Sequence, residues 1–346
     1  MNNRPFKRAL IVSNYHRMFD DLKKNKIKFK SEPLESDIAD SIRNNPNSKI
    51  TILEDKLNFS LNIKNGEEFA KSYYSSICAY DESIMKIHSL KGIAYFTCHC
   101  IIQMQEKDFD PICSLTANYF TRAKKIANTS DVFHYVKVDD EIESVESVYK
   151  VYYHNERAAL MLKNIPDHSI LIIDGPLIGS QLTSRTKTLA KELLERDIIT
   201  IFVVKNSDSL MLVGSLKDSG KYNSDLDWAE EKLEPGSRSS FIKYKDQSGG
   251  HSEIFCYLKS FNNVSPLRIS FMQEILLDKG DDLINSLMDL IYYLVIDQGT
   301  PKDPQLRLIS VAEMFAKDII KVANPYGKMQ SIGLVPTVNQ NRWGRG

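Results

Sequence analysis

Residues 169–213 read SILIIDGPLIGSQLTSRTKTLAKELLERDIITIFVVKNSDSLMLV, and this stretch restricts the fold more than any other part of the chain. A short apolar run rich in β-branched residues, 170–173, closes on Asp174-Gly175-Pro176, as a buried strand ends in a turn. Leu182, Leu189, Leu193 and Leu194 then recur among Lys, Arg and Glu in a helical pattern, before a second apolar run at 198–204. Two buried strands joined by a helix of roughly three turns make a βαβ unit, which implies parallel pairing and helices over the sheet. Asp174 therefore stands at the carboxyl end of a central strand, where open α/β sheets place their chemistry. Lys205 lies at the same end of the next strand, so a carboxylate and an ammonium face one crevice.

The 346 residues allow one large or two modest domains with ample core. No run approaches the ~18–20 apolar residues of a membrane span, and no signal-peptide pattern is present. The five cysteines are an odd number without a Cys-x-x-Cys, which suits free thiols in a reducing cytoplasm. Charge is balanced, with 45 basic against 45 acidic residues. A chain that grips duplex DNA alone displays a basic excess. A nucleic-acid substrate would thus need a local groove, a bound metal or a partner to hold it.

Residues 1–70 read as an accessory region: a strand at 8–13, a lysine-rich solvated helix face (KKNKIKFK) ended by Pro33, a turn at 44–47 and a strand at 49–53. A strand at 76–80 leads into Asp81-Glu82-Ser83, read as a sharp acidic turn, and then into returning β-prone runs through 104. Asp81 is either a hairpin-turn residue or a site acid. Within Cys98-His99-Cys100, strand alternation turns His99 away from both cysteines, and the spacing is not that of a zinc site. A helical stretch is expected from Phe109 to Ala127, a strand at 132–138 and an acidic helix start at 139–146. Residues 147–165 carry Val148, Val151, Tyr152, Ala159 and Leu162 at helical spacing, with Glu156 in their midst. A polar loop with a short helix at 224–233 precedes strands at 252–261 and 267–272. Helices at 281–296 and from Pro304 to Ala323 follow, and the tail 324–346 reads as extended and docked, or disordered.

Taken in order, these acids form a pattern. Asp81 between a strand and a β-meander, Glu156 on a helix, Asp174 in strand-DGPL and an acid or histidine on the last helix resemble the NurA nuclease family. The resemblance is most specific in LIIDGPL and IFVVKNSDSL, and Leu267-Arg268-Ile269 fits the family's arginine-bearing late strand. It implies an α/β fold, an RNase H-like mixed sheet flanked by helices, with the nuclease domain at 71–323 and extra N- and C-terminal segments at 1–70 and 324–346. Two motifs depart from the family: Asp81-Glu82-Ser83 stands for Asp-Gly-Ser, and Ala312-Glu313 for Ala-His.

The implied activity is metal-dependent cleavage of DNA by two Mn²⁺ or Mg²⁺ ions, which activate water and neutralise charge on phosphorus. On this reading Asp81 bridges the ions, Glu156 and Asp174 each hold one, and Glu313 completes a shell as an oxygen ligand. Lys205 contacts the scissile phosphate or orients water, and Arg268 pairs with a carboxylate or a phosphate. The resemblance also implies a homodimer fed by a hexameric HerA-like ATPase, in DNA end processing or antiphage defence. The altered motifs leave a catalytically inactive NurA-like scaffold as the alternative. A small-molecule α/β enzyme is disfavoured, since neither Gly-x-Gly-x-x-Gly nor Gly-Lys-Ser/Thr occurs.

Overall fold

The computed structural model describes residues 49–73, 77–104, 109–124, 133–137, 142–178, 182–216, 221–245, 250–299 and 305–337. The chain forms two compact units, Met1–Glu35 and Ser36–Gly346, and every described residue belongs to the second. The expected strand at 8–13, the lysine-rich face and the turn at 44–47 lie outside the described residues.

In chain order the elements are β1 (Ile50–Ile52), β2 (Asn58–Ser60), α1 (Ile63–Tyr73), β3 (Ile77–Ser89), β4 (Gly92–Met104), β5 (Phe109–Thr121) and β6 (Phe133–Tyr135). They continue with α2 (Ile142–Asn164), β7 (Ile170–Asp174), α3 (Thr183–Glu195), β8 (Ile199–Val204), α4 (Asp225–Lys232), β9 (Ser237–Ser239), β10 (Ile242–Lys245), β11 (Ser252–Lys259) and β12 (Leu267–Phe271). The last are α5 (Gln273–Lys279), α6 (Asp281–Gln298), α7 (Arg307–Ala323) and α8 (Pro325–Ser331).

The βαβ unit forms as its sequence requires. β7 and β8 pair in parallel, and β7 pairs in parallel with β3, the first strand of the antiparallel meander β3-β4-β5. The resulting order, β5-β4-β3-β7-β8, is RNase H-like; β12, β11, β10 and β1 extend it antiparallel beyond β8. The fold is thus α/β, a mixed sheet flanked by helices. Helix α2 packs on β4 and β5 from one side. From the other side Gln298 of α6 reaches the Met104 sulfur and Arg307 of α7 lies over the Phe109 ring at 5.6 Å. Among the described residues no helix is long and apolar enough to cross a membrane.

Three expectations need correction. Asp81-Glu82-Ser83 is not a turn: β3 pairs with β4 without a break from Cys78↔Gln103 to Ser89↔Gly92, and the chain reverses at Leu90-Lys91. Residues 109–121 are strand rather than helix, because β4 presents a full outer row of backbone groups that β5 satisfies from Ile93↔Phe120 to Met104↔Phe109. The tail begins with α8, whose first turn is capped by the Asn324 side chain accepting from the Gly327 amide. Beyond it the tail is docked, as Leu90 donates to the Val335 carbonyl and Thr337 to that of His88.

Residues 49–70, from the region expected as accessory, lie in the second unit. β1 pairs with β10, β2 with β9, and α1 packs along α6. The approach of α1 to α6 depends on Gly66, where a Cβ would stand 2.2 Å from the Asp289 carbonyl oxygen. Gly66→Ala must push the helices apart and is expected to lower stability by about 1–3 kcal/mol. Urea titration checks this, and an unchanged midpoint would contradict the close approach.

Candidate active site

Four apolar residues drive Ile170–Asp174 into the sheet, and Gly175 then takes φ +113, a backbone conformation that L side chains rarely adopt. Its amide donates to the Val203 carbonyl at 2.9 Å, which holds Asp174 at the rim. Lys205 Nζ lies 2.7 Å from Asp174 Oδ2, both side chains about one-fifth exposed, and donates to Gln305 Oε1 at 3.2 Å. The carboxylate and ammonium expected in one crevice are an ion pair.

The parallel register runs to Tyr80↔Ile173, and Asp81 and Asp174 come next on the two strands, near enough for the charge of Asp174 to act on Asp81. Asp81 is buried, and its Oδ1 accepts the Glu82 amide at 2.7 Å. Burial, then the negative charges of Glu82 and Asp174, push its carboxyl up to about 7; the Glu82 amide and Lys205 oppose the shift. Between about pH 7 and 4 the folded chain therefore holds a proton that the unfolded chain releases. The sign follows: stability in EDTA rises through this group as pH falls across that window. Asp81→Asn should remove that slope and be the more stable form above pH 7 in thermal unfolding. Identical slopes in both proteins would refute the assignment.

Glu156 does not join this pair. Strand alternation sends Asp81 and its cross-strand partner Cys100 to one face and Glu82 with His99 to the other, and Glu156 descends from α2 onto the His99 side. There it accepts from Thr116 Oγ1 at 2.7 Å and Asn118 Nδ2 at 2.9 Å, with His99 Nε2 at 3.4 Å. Burial would push its carboxyl up, but the bonds from His99, Thr116 and Asn118 hold it below the ordinary range. In this fold it ties α2 to β4 and β5. Glu313 also stands apart. Leu308, Ile309, Ala312, Ala316 and Ile320 form the buried stripe of α7, which leaves Glu313 on the solvent side, 2.5 Å from Lys317.

Of the two partners expected for it, Arg268 has the carboxylate. It is buried, its Nη2 donates to the fully buried Glu253, and its guanidinium lies 4.5 Å from the Phe255 ring centroid. His99 points away from Cys98 and Cys100 as expected, its Nδ1 2.7 Å from the Tyr80 hydroxyl; Cys113 Sγ is 3.1 Å from Cys100 Sγ. Among the described residues no three carboxylate, imidazole or thiol side chains converge as a metal site would need.

A cavity of about 430 Å³ opens beside Asp174, lined in part by Glu82, Tyr153, Arg157 and Thr186. Glu82, Arg157 and Gln305 border the site without having been picked out in the sequence. Period-two alternation from Asp81 could have placed Glu82 on the opposite face; nothing in the sequence points to the other two.

These features define an α/β protein with an RNase H-like mixed sheet whose rim carries acids from two neighbouring parallel strands. No curated protein sequence matches the chain. Among solved structures it is similar to the NurA nuclease from Sulfolobus solfataricus, at 13% identity and a TM-score of 0.48, over 96% of this chain and 98% of that one. It is also similar to NurA with manganese (8% identity, TM-score 0.40, 92% and 97% covered) and to Endonuclease V from Bacillus subtilis (12%, 0.35, 72% and 84%). The NurA domain matches residues 116–311, more than half of the chain, which therefore belongs to the NurA nuclease family. Glu156, Asp174, Lys205 and Arg268 lie within the matched residues; Asp81 and Glu313 lie outside them.

Proposed function

We propose that the chain is a divalent-metal-dependent DNA nuclease whose ion is held by Asp81 and Asp174. The observation that carries this reading is the meeting of two carboxylates on adjacent parallel strands, one of them buried. Like charges this close are costly without a cation. Mg²⁺ commonly takes one or two protein carboxylates and draws its remaining ligands from water and phosphate, so the pair fits one such ion, or Mn²⁺. Such an ion, when bound, lowers the pKa of coordinated water and neutralises charge on phosphate oxygens. Lys205, fixed by Asp174 and Gln305, places a positive charge beside the substrate phosphate.

The two-ion cage drawn from Asp81, Glu156, Asp174 and Glu313 is not assembled in this fold, and a second ion would require Glu156 to leave Thr116 and Asn118. The altered motifs, Asp81-Glu82-Ser83 and Ala312-Glu313, support a second reading, an inactive NurA-like scaffold. Titration calorimetry with Mn²⁺ separates the two: heat of binding that Asp174→Ala abolishes supports the nuclease, and no heat with the wild type supports the scaffold.

We further propose a homodimer working with a HerA-like hexameric ATPase in the cytoplasm, in end processing or antiphage defence. The even balance of 45 basic and 45 acidic residues supports a partner that delivers the DNA, since electrostatic grip alone needs a basic excess.

A further inference from the structure

We propose that Arg157 binds a backbone phosphate of the DNA, in a subsite next to Asp174; the proposal rests on the nuclease reading. Arg157 reaches from α2 to the sheet and is 9% exposed, its guanidinium 5.0 Å from the ring centroid of the buried Tyr80. Two of its nitrogens, Nε and Nη2, are buried without a hydrogen-bond partner. A guanidinium cannot escape that cost by losing a proton, and each unmatched buried donor of a charged group is expensive. Most buried polar groups are satisfied, and two open donors on one cation leave room for an acceptor.

The surroundings say which acceptor. Arg157 lines the same cavity of about 430 Å³ as Asp174, so an anion held there lies next to Asp174, on the Glu82 face of the sheet. Glu82 and Tyr153 also line it; Tyr153 hydrogen-bonds to Arg157 and the charge of Glu82 acts on it, while Nε and Nη2 stay without a partner. Lys86 and Lys150 add positive charge against Glu82, Glu146 and Asp174, with Lys86 already paired to Glu146. A planar fork with two open donors matches two oxygens of one phosphodiester, and a substrate of the nuclease supplies these next to its scissile bond.

The test is equilibrium binding of a fluorescein-labelled single-stranded oligodeoxynucleotide to the full chain in EDTA, by anisotropy across a salt series. Losing one phosphate contact should weaken binding by about tenfold and make the slope of log K against log salt shallower by about one. We expect both changes in Arg157→Ala and Arg157→Gln, with Arg157→Lys keeping the slope and losing part of the affinity. Thermal unfolding identifies variants that fold, and a purely structural Arg157 would leave the salt slope of folded variants unchanged. An unchanged slope in folded Arg157→Gln, or a wild type that binds no oligonucleotide, overturns the proposal. Asp174→Ala distinguishes the parent reading: full cleavage by that variant sinks the nuclease while leaving the Arg157 result intact.

Discussion

Asp174→Ala should lower Mn²⁺-dependent cleavage of linear DNA by on the order of 10³-fold, the scale on which preorganised charge stabilises a transition state. Among the described residues, Asp174 is the acid that both pairs with Lys205 and lines the open cavity. Removing it takes away a proposed ligand and frees Lys205 from its 2.7 Å partner. The loss should come without unfolding. Asp174 and Asp81 repel each other, so the variant's thermal midpoint in EDTA should match or exceed that of the wild type. Asp174→Asn, which keeps the shape, should be as inactive. Retention of wild-type cleavage by a folded Asp174→Ala would remove the site from consideration.

Breaking the Arg268–Glu253 pair from one side should cost about 3–5 kcal/mol of stability, the penalty for stranding a buried charge. Glu253 is fully buried, and burial pushes its carboxyl up despite the neighbouring guanidinium. The pair is incompletely satisfied, since Glu253 Oε2 and Arg268 Nε lack partners. Removing both charges together should therefore cost far less than the sum of the single changes. Denaturant titration of Arg268→Met, Glu253→Leu and the double variant forms the cycle. If Arg268→Met instead left stability intact and weakened DNA binding, the phosphate role would be restored.

Much of this molecule could be read from local pattern. β7, α3 and β8 are a continuous alternation of apolar run, amphipathic helix and apolar run, and that grammar is local enough to survive in any context. The placement of Asp174 at a strand end follows from it. β5 could not be read this way. Its 13 residues include Pro111 and alternate weakly, and they are strand because β4 offers an unpaired edge. The acidic triplet at 81–83 misled for a similar reason: three polar residues suggest a turn, yet β3 carries them through because both neighbours pair with it.

The sequence by itself determined the βαβ core, the helices α4, α6 and α7 and the two rim residues Asp174 and Lys205, because hydrophobic periodicity is a property of neighbours along the chain. Only the tertiary structure decided which acids meet. Asp81 and Asp174 converge through a parallel register between strands far apart in sequence, while Glu156 is captured by Thr116 and Asn118. Glu313 is left in solvent by the rotation of α7 on the sheet. Whether a side chain reaches a site depends on the face its strand or helix turns inward, and that choice is made by packing partners that lie elsewhere in the chain.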